Sequence, residues 1–138
     1  MESKKISVAI PTYDSSKYLR GLLRKFVICE SVNEIIIGND FTNFEEENLL
    51  QSIVSDFSKK NPETNIVFLN NKKRLGPFLN KYNTIKHCSN EIVYQIDSDN
   101  LPMKNFDSFV TKDILKKFNK ENIYYPSKIY HFKNSSKL

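Results

Sequence analysis

The sequence has no tryptophan, only three glycines and only two cysteines in 138 residues. Cys29 and Cys88 are far apart and form no Cys-x-x-Cys pair, so neither a zinc ribbon nor a dithiol redox site is indicated. No run of about 18 apolar residues occurs, and the apolar run near the N-terminus is too short for a signal peptide. We therefore expect a soluble, cytoplasmic protein without a transmembrane segment.

Several common signatures of nucleotide binding and hydrolysis are also missing. The chain contains neither a G-x-x-x-x-G-K-[ST] P-loop nor a G-x-G-x-x-G dinucleotide-binding motif. It has no G-x-S-x-G nucleophile elbow either, which leaves hydrolase chemistry without a candidate nucleophile.

The composition is that of one globular domain, with 39% hydrophobic residues and a net charge of +5. A positive balance favours anionic partners, although scattered lysines more often form a solvated surface. A basic module that binds nucleic acid is one interpretation of the charge. No recognition motif accompanies the charge, so we expect no nucleic-acid partner.

Short apolar runs alternate with segments of helical periodicity along the chain. The runs are typical of strands that are covered on both faces, and they occupy residues 6–10, 34–38, 65–69 and 91–96. Amphipathic segments follow each of them, the last at about residues 105–119, and one more strand is expected within residues 123–132. This order predicts an α/β fold, with a parallel-core sheet and helices on both faces, over residues 1–138.

Three polar loops follow predicted strands: "PTYDSS", "GNDFTN" and "DSDN". In a parallel sheet, ligands bind beyond the carboxyl ends of the strands. The topology therefore brings Asp40, Asp97 and Asp99 to one rim of the sheet. Ser15 or Ser16 is expected to cap the helix that follows the first of these loops.

The triplet "DSD" holds two carboxylates two residues apart, and two interpretations are open. In extended chain, Asp97 and Asp99 point to the same side, where their charges repel unless a cation is present. Mg²⁺ and Mn²⁺ bind carboxylate oxygen, and water and a diphosphate would complete their coordination shell. The alternative is a capping turn before the next helix. Zinc is not expected, because no His or Cys is nearby in the sequence.

Four motifs in order over residues 6–102 resemble the inverting family 2 glycosyltransferases, which have the GT-A nucleotide-sugar-binding fold. They are the Pro-Thr-Tyr loop after the first strand, the loop "GNDFT", the segment "RLGPFLNKYNTI" with Gly76 and Asn83 matching, and the Asp-x-Asp motif in "YQIDSDN". Three positions depart from the family pattern: Asn39 and Phe41 replace an aspartate and a glycine in the second loop, and Tyr82 replaces an arginine just before Asn83.

The resemblance implies roles for particular residues. It places nucleotide-sugar contacts at Pro11, Thr12, Tyr13, Asp40, Gly76, Lys81 and Asp97. Among them, Pro11 and Thr12 line the base pocket, and Asp40 accepts a hydrogen bond from a uracil-type ring. From their charge, we expect Lys81 and Arg74 to help hold the phosphates. It also places Mn²⁺ or Mg²⁺ at Asp99 and Asp97, bridging the donor diphosphate.

The function implied by the resemblance is the transfer of a sugar, with inversion, from a UDP-sugar to a hydroxyl group of an unknown glycan, lipid or protein acceptor. We expect the chain to be the donor-binding half, with an acceptor-binding half that is short or missing. Inverting transfer needs a carboxylate base, and the candidates after the motif are Asp107, Asp113, Glu121 and His131, none of them in a known motif. The catalytic residues are thus unknown, and the alternative is a non-catalytic nucleotide-sugar-binding or interaction module.

Overall fold

The fold is a four-stranded parallel sheet with helices on both faces, which confirms the predicted fold class. The computed structural model describes residues 4–119, 121 and 123. The strands lie in the order β3-β2-β1-β4, and the main elements, in chain order, are β1 (Ile6–Thr12), α1 (Ser16–Phe26), β2 (Val32–Asn39), α2 (Phe44–Lys60), β3 (Asn65–Asn70), α3 (Pro77–Lys86) and β4 (Val93–Gln95).

A final helical segment follows β4. It consists of α4 (Phe106–Phe109), a π-helical turn (Val110–Ile114) and α5 (Leu115–Lys117). Its position agrees with the helix predicted at about residues 105–119. The strand predicted within residues 123–132 lies outside the described residues, except for Ile123.

The main hydrophobic core lies between one face of the sheet and the helices α1, α2 and α4. Alternate residues of β1, namely Ile6, Val8 and Ile10, point into it, as period-2 geometry requires. Phe26 of α1 is fully buried there and makes an edge-to-face contact with Phe106 of α4, at 5.4 Å between ring centroids. The core therefore fixes the strands that carry the rim.

The other face of the sheet is covered by α3, and it is lined by small and polar side chains. A Cβ atom at Gly38 of β2 would lie 1.9 Å from Thr84 Oγ1, so the helix approaches the strand more closely than any other residue type allows. Asn80 of the same helix donates a hydrogen bond from Nδ2 to Gly38 O at 2.9 Å. The backbone of β2 is thus in direct contact with two polar residues of α3.

The hydrogen-bond ladder between β1 and β4 cannot continue through Pro11. Ser7 N donates to Ile92 O, and Ala9 O accepts from Ile96 N, so the odd-numbered residues of β1 face β4. Pro11 is the next residue on that side and has no N–H to continue the ladder. The ladder ends at the pair Ala9–Gln95. A crevice at this point, where the strand order reverses, is the usual ligand position in such sheets.

Candidate functional site

The carboxyl ends of the strands bring the predicted residues to one rim, as expected. Thr12 ends β1 and is 1% exposed, and Asp40 directly follows β2 and is 2% exposed. The two are linked, because Asp40 N donates to Thr12 O at 2.9 Å. Asp97 and Asp99 follow β4 on the other side of β1. The rim therefore has a buried side near Asp40 and an open side near Asp99.

The Asp-x-Asp segment is a turn and not extended chain. Asn100 N donates to Asp97 O at 3.0 Å, so Ser98 and Asp99 occupy the central positions of a β-turn. The extended-chain reason for two carboxylates on one side therefore does not apply here. The turn and the ligand-site interpretations are compatible, because the turn leaves Asp99 exposed while Ser98 is buried.

The Asp97 carboxylate is already neutralised by a cation. Lys81 Nζ lies 2.8 Å from Asp97 Oδ1 and 3.1 Å from Oδ2, and both side chains are about 40% exposed, at 40% and 43%. Gln95 Nε2 also donates to Asp97 Oδ1, at 3.0 Å. This bidentate contact ties α3 to the loop after β4, so two predicted residues, Lys81 and Asp97, do come together.

Asp99 is different, because its carboxylate has no hydrogen-bond or ion-pair partner within the part of the chain that the structure describes. Among the described residues, Asp97 is thus the acid of the motif with a cationic partner, and Asp99 is the exposed acid without one. The same residues contain no group of three or more His, Cys, Asp or Glu side chains that could hold a metal ion by themselves. Any cation at this turn would therefore need oxygen atoms from a second molecule.

The Asp40 carboxylate holds the loop between β3 and α3. Oδ1 accepts from Leu75 N at 2.6 Å, and Oδ2 accepts from Gly76 N at 3.0 Å. Gly76 has φ +86°, a conformation that favours glycine, and Pro77 opens α3 directly after it. Asp40 therefore positions Gly76 at the rim, and the role of Asp40 in base recognition stays a prediction.

Tyr13 extends the rim outwards and is 45% exposed. The Arg74 guanidinium lies 4.3 Å from the centroid of its ring, a cation–π contact between the first loop and the loop before α3. Pro11 and Thr12 are buried beneath it. Arg74 and Tyr13 thus form an exposed planar pair that can stack on a ring or contact a phosphate.

Two residue pairs that the sequence did not reveal also hold the rim loops in place. Ser15 Oγ and Ser98 Oγ share a buried hydrogen bond of 2.6 Å, which joins the loop after β1 to the Asp-x-Asp turn. Ser15 is the N-cap of α1, as predicted, but its side chain does not cap the helix. Instead, buried Glu46 of α2 accepts from Ser16 N and Ser16 Oγ, both at 2.7 Å.

Asn80 is a further rim residue that sequence reasoning missed. It is 2% exposed and donates to the ends of both β1 and β2, to Thr12 O at 3.5 Å and Gly38 O at 2.9 Å. Asn83, which was matched to the family motif, is less buried and donates to Asn71 Oδ1 at 3.3 Å. The available signal was the polar pair Asn80 and Thr84, spaced i, i+4 on the face opposite the apolar residues of α3.

The candidate bases after the motif do not gather at this rim. Asp107 lies at the opposite edge of the sheet, where it accepts from Ser31 N at 2.9 Å and Glu30 N at 3.2 Å, just before β2. Burial acts to raise the pKa of Asp107, but these hydrogen bonds outweigh it and hold the pKa below its usual value. A carboxylate with a lowered pKa is a weak base.

The other candidates give no base either. Asp113 pairs with Lys117 at 3.6 Å on the helical segment after the motif, Glu121 is exposed, and His131 lies outside the described residues. The catalytic base is therefore still unassigned.

Among the residues that the structure describes, none of the helices has the length and apolar character of a membrane span.

Comparisons with known proteins agree with the fold. The model of the family "Glycosyl transferase family 2" matches residues 7–135. The solved structures of similar fold include a mannosyltransferase, PcManGT from Pyrobaculum calidifontis, in complex with GDP-Man and Mn²⁺, with a TM-score of 0.62 and 18% identity. They also include S. aureus TarS 1-349, with a TM-score of 0.60 and 21% identity. No curated protein matches the chain in sequence.

The extent of these matches is unequal. The match with the mannosyltransferase covers 73% of this chain but only 29% of that protein. The match with TarS 1-349 covers 77% of this chain but only 32% of that protein. The shared part is the sheet with its helices, that is, the GT-A fold. Because the family model matches nearly the whole chain, this protein belongs to glycosyl transferase family 2.

Proposed function

We propose that the chain binds a nucleotide-sugar donor in the crevice between the carboxyl ends of β1 and β4. The observation that supports this most directly is the exposed Asp99 carboxylate, which has no partner among the described residues and lies on a turn that Ser15 and Lys81 hold in place. The first loop, with Pro11, Thr12 and Tyr13, lies on the other side of the crevice. A ligand between the two loops would reach both.

The carboxylate oxygen atoms at the turn suit a divalent cation whose coordination shell is completed by a diphosphate. Asp99 offers a carboxylate that no described residue binds, and these residues form no group of three or more His, Cys, Asp or Glu that would hold the ion without the ligand. Hard ions such as Mn²⁺ and Mg²⁺ take carboxylate and phosphate oxygen and usually keep several waters. We propose Asp99 as the main protein ligand. Asp97, paired with Lys81, is a second ligand or a contact to the ribose.

The reaction that we propose is glycosyl transfer with inversion. Asp99 and Asp97 would hold a divalent ion that would supply Lewis-acid chemistry to the leaving diphosphate, and Lys81 and Arg74 would add positive charge nearby. We favour a UDP-sugar as donor. The solved mannosyltransferase holds GDP-Man, so a GDP-sugar is the second donor to test. The acceptor is a hydroxyl of a glycan, lipid or protein, in a cytoplasmic setting.

Calorimetric titration tests the site. UDP-sugars and GDP-mannose are titrated into the chain with Mn²⁺, with Mg²⁺ and with EDTA. We expect binding that depends on the ion and that weakens about 30-fold or more in Asp99→Ala, because the cation loses its unshared carboxylate. Asp113→Ala is the control, since it removes a half-exposed aspartate that pairs with Lys117 on the helical segment after the motif. Equal binding by Asp99→Ala and the parent chain would exclude the metal assignment.

A non-catalytic donor-binding module is the second candidate, and one observation favours it. Of the described candidate bases, Asp107 is committed to the opposite edge of the sheet, Asp113 pairs with Lys117, and Glu121 has no contact with a rim residue among the described residues. Transfer and hydrolysis are measured with radiolabelled nucleotide sugars against a panel of acceptors. Turnover supports the enzyme, whereas tight binding without turnover supports the module.

A further inference from the structure

Helix α3 buries polar side chains and exposes apolar ones, whereas the other long helices bury mainly apolar side chains. Its buried residues are polar, Asn80 at 2% and Thr84 at 0% exposure. Its large apolar residues point outward instead, with exposures of 80% for Phe78, 59% for Tyr82 and 39% for Ile85. In α1, by comparison, every buried residue is a leucine or phenylalanine. The outer face of α3 therefore presents apolar surface that the described residues do not cover.

The exposed residues form one stripe. Phe78, Tyr82 and Ile85 are spaced i, i+4 and i+7, which places them within about 60° of one another around the helix. At about 100° per residue, Lys81 lies on one side of this stripe and Lys86 on the other. Leu79, 53% exposed, widens the stripe next to Lys86. An apolar stripe flanked by lysines is typical of helices that lie in a membrane interface.

The excess of positive over negative charge in this chain comes from the sequence around the same helix. Residues 64–90 contain no aspartate or glutamate. Five of the 21 cationic residues lie there, namely Lys72, Lys73, Arg74, Lys81 and Lys86, which leaves 16 cationic against 16 acidic residues in the rest of the chain. The net charge of +5 thus comes from this one segment, which runs from β3 to the end of α3.

We propose that α3 and the loop before it form a docking surface for an anionic lipid bilayer. The apolar stripe enters the boundary between headgroups and acyl chains, while Lys72, Lys73 and Lys86 contact the acidic headgroups. A second copy of the chain fits less well, because the two like-charged faces would repel each other. Nucleic acid fits less well too, because Leu79 and Ile85 have no ring to stack on a base.

The docking surface borders the rim of the sheet. Lys81 of α3 contacts Asp97 at 2.8 Å, and Arg74 of the preceding loop contacts Tyr13. A docked chain would therefore hold the mouth of the crevice close to the bilayer. This inference is independent of the donor: binding to lipid is measured without nucleotide, and nucleotide binding is measured without lipid.

Flotation with sized vesicles tests the proposal. Vesicles of phosphatidylcholine with 30% phosphatidylglycerol are compared with vesicles of phosphatidylcholine alone, at about 0.1 M salt. We expect the chain to float with the anionic vesicles only. Phe78→Ser should weaken this binding about tenfold or more, through the loss of buried apolar area. Lys73→Gln/Lys86→Gln should weaken it about 30-fold, because each lysine near an anionic surface contributes about fivefold.

Matched control variants distinguish binding through this surface from non-specific binding to vesicles. Ile28→Ser removes an equally exposed apolar side chain, 77% exposed, at the opposite edge of the sheet. Lys25→Gln/Lys59→Gln removes two exposed charges outside the segment. Both should float like the parent chain, and circular dichroism should show all variants folded. The proposal is overturned if the controls lose as much binding as the α3 variants.

Two other outcomes would also contradict it. A parent chain that stays off anionic vesicles but sediments as a dimer, which Phe78→Ser converts to monomer, would show that a second copy covers α3. Binding to a single-stranded oligonucleotide with no binding to vesicles would assign the surface to nucleic acid.

Discussion

The contact between Gly38 and α3 predicts that one added methyl group disturbs both the fold and the rim. In Gly38→Ala, the new Cβ would lie 1.9 Å from Thr84 Oγ1, 3.1 Å from Thr84 Cβ and 3.2 Å from Asn80 Oδ1. Thr84 is 0% exposed, and its hydroxyl donates to Asn80 O at 2.7 Å. A β-branched side chain in a helix has few alternative rotamers. The helix itself must therefore move outwards.

The size of the effect follows from this overpacking. An extra methyl in a well-packed interior costs about 1–3 kcal/mol in the free energy of unfolding. For a chain of this length, that lowers the melting temperature by about 4–10 °C. Because α3 also carries Lys81, its displacement should lengthen the contact with Asp97 and weaken nucleotide binding. Both effects are measurable on one preparation, by thermal unfolding and by calorimetry.

The design includes a rescue and a control. Thr84→Ala removes the hydroxyl that the new methyl meets. Gly38→Ala/Thr84→Ala should therefore lose less free energy of unfolding than the two single variants lose together, by about 0.5 kcal/mol or more. Gly21→Ala adds the same methyl on α1, where nothing lies within 4 Å. There, it should stabilise the chain by about 0.5–1 kcal/mol. If Gly38→Ala were as stable as Gly21→Ala, the close approach of α3 to β2 would be refuted.

Two further predictions concern carboxylates that accept hydrogen bonds from residues distant in sequence. Glu46→Gln replaces one acceptor for Ser16 with a donor and should cost about 1–3 kcal/mol in chemical denaturation, whereas exposed Glu45→Gln should be nearly neutral. Asp107 has a folded pKa below its unfolded value, so its ionised form, bound by Ser31, stabilises the fold above the unfolded pKa of about 3.9. That stabilisation is lost as the pH falls through the folded pKa. Asp107→Asn should therefore lower stability at pH 7 but not near pH 2, and an equal loss at both would contradict the linkage.

The strands were predictable because each is a continuous apolar run, and a parallel order follows from alternation with helices. The run "ISVAI" is covered on both faces in the structure, and β1 extends it through Pro11 to Thr12. The orientation of α3 was not predictable in this way. Periodicity predicts a helix, but it does not state which face meets the sheet. Here the choice depends on Gly38, which admits only a close polar neighbour such as Thr84.

The placement of the site was predictable for the same topological reason. Asp40, Asp97 and Asp99 reach one edge because each follows a parallel strand. Their partners were not predictable, since they come from distant parts of the chain. Ser15 and Ser98 are separated by 83 residues, so local sequence contains no sign that they meet. Helix-capping rules pointed to Ser15 or Ser16, and Ser15 is the N-cap, but its hydroxyl bonds to Ser98 instead of capping the helix, because the tertiary partner replaced the local one.

The hydrogen bonds at the rim divide its residues into those that are already committed and those that are free. Asp40 is bound to Leu75 and Gly76, Asp97 to Lys81, and Ser98 to Ser15. Such cross-links fix loops before a ligand arrives and reduce the entropy lost on binding.

Asp99 stands apart, because the described residues offer its carboxylate no partner. Asp99 can bind an external cation without breaking a contact to the described residues, whereas Asp97 must first break its salt bridge with Lys81. The two aspartates of the motif are therefore not equivalent. Loss of Lys81 should free Asp97 for a cation, while no change at Asp97 replaces the open position of Asp99.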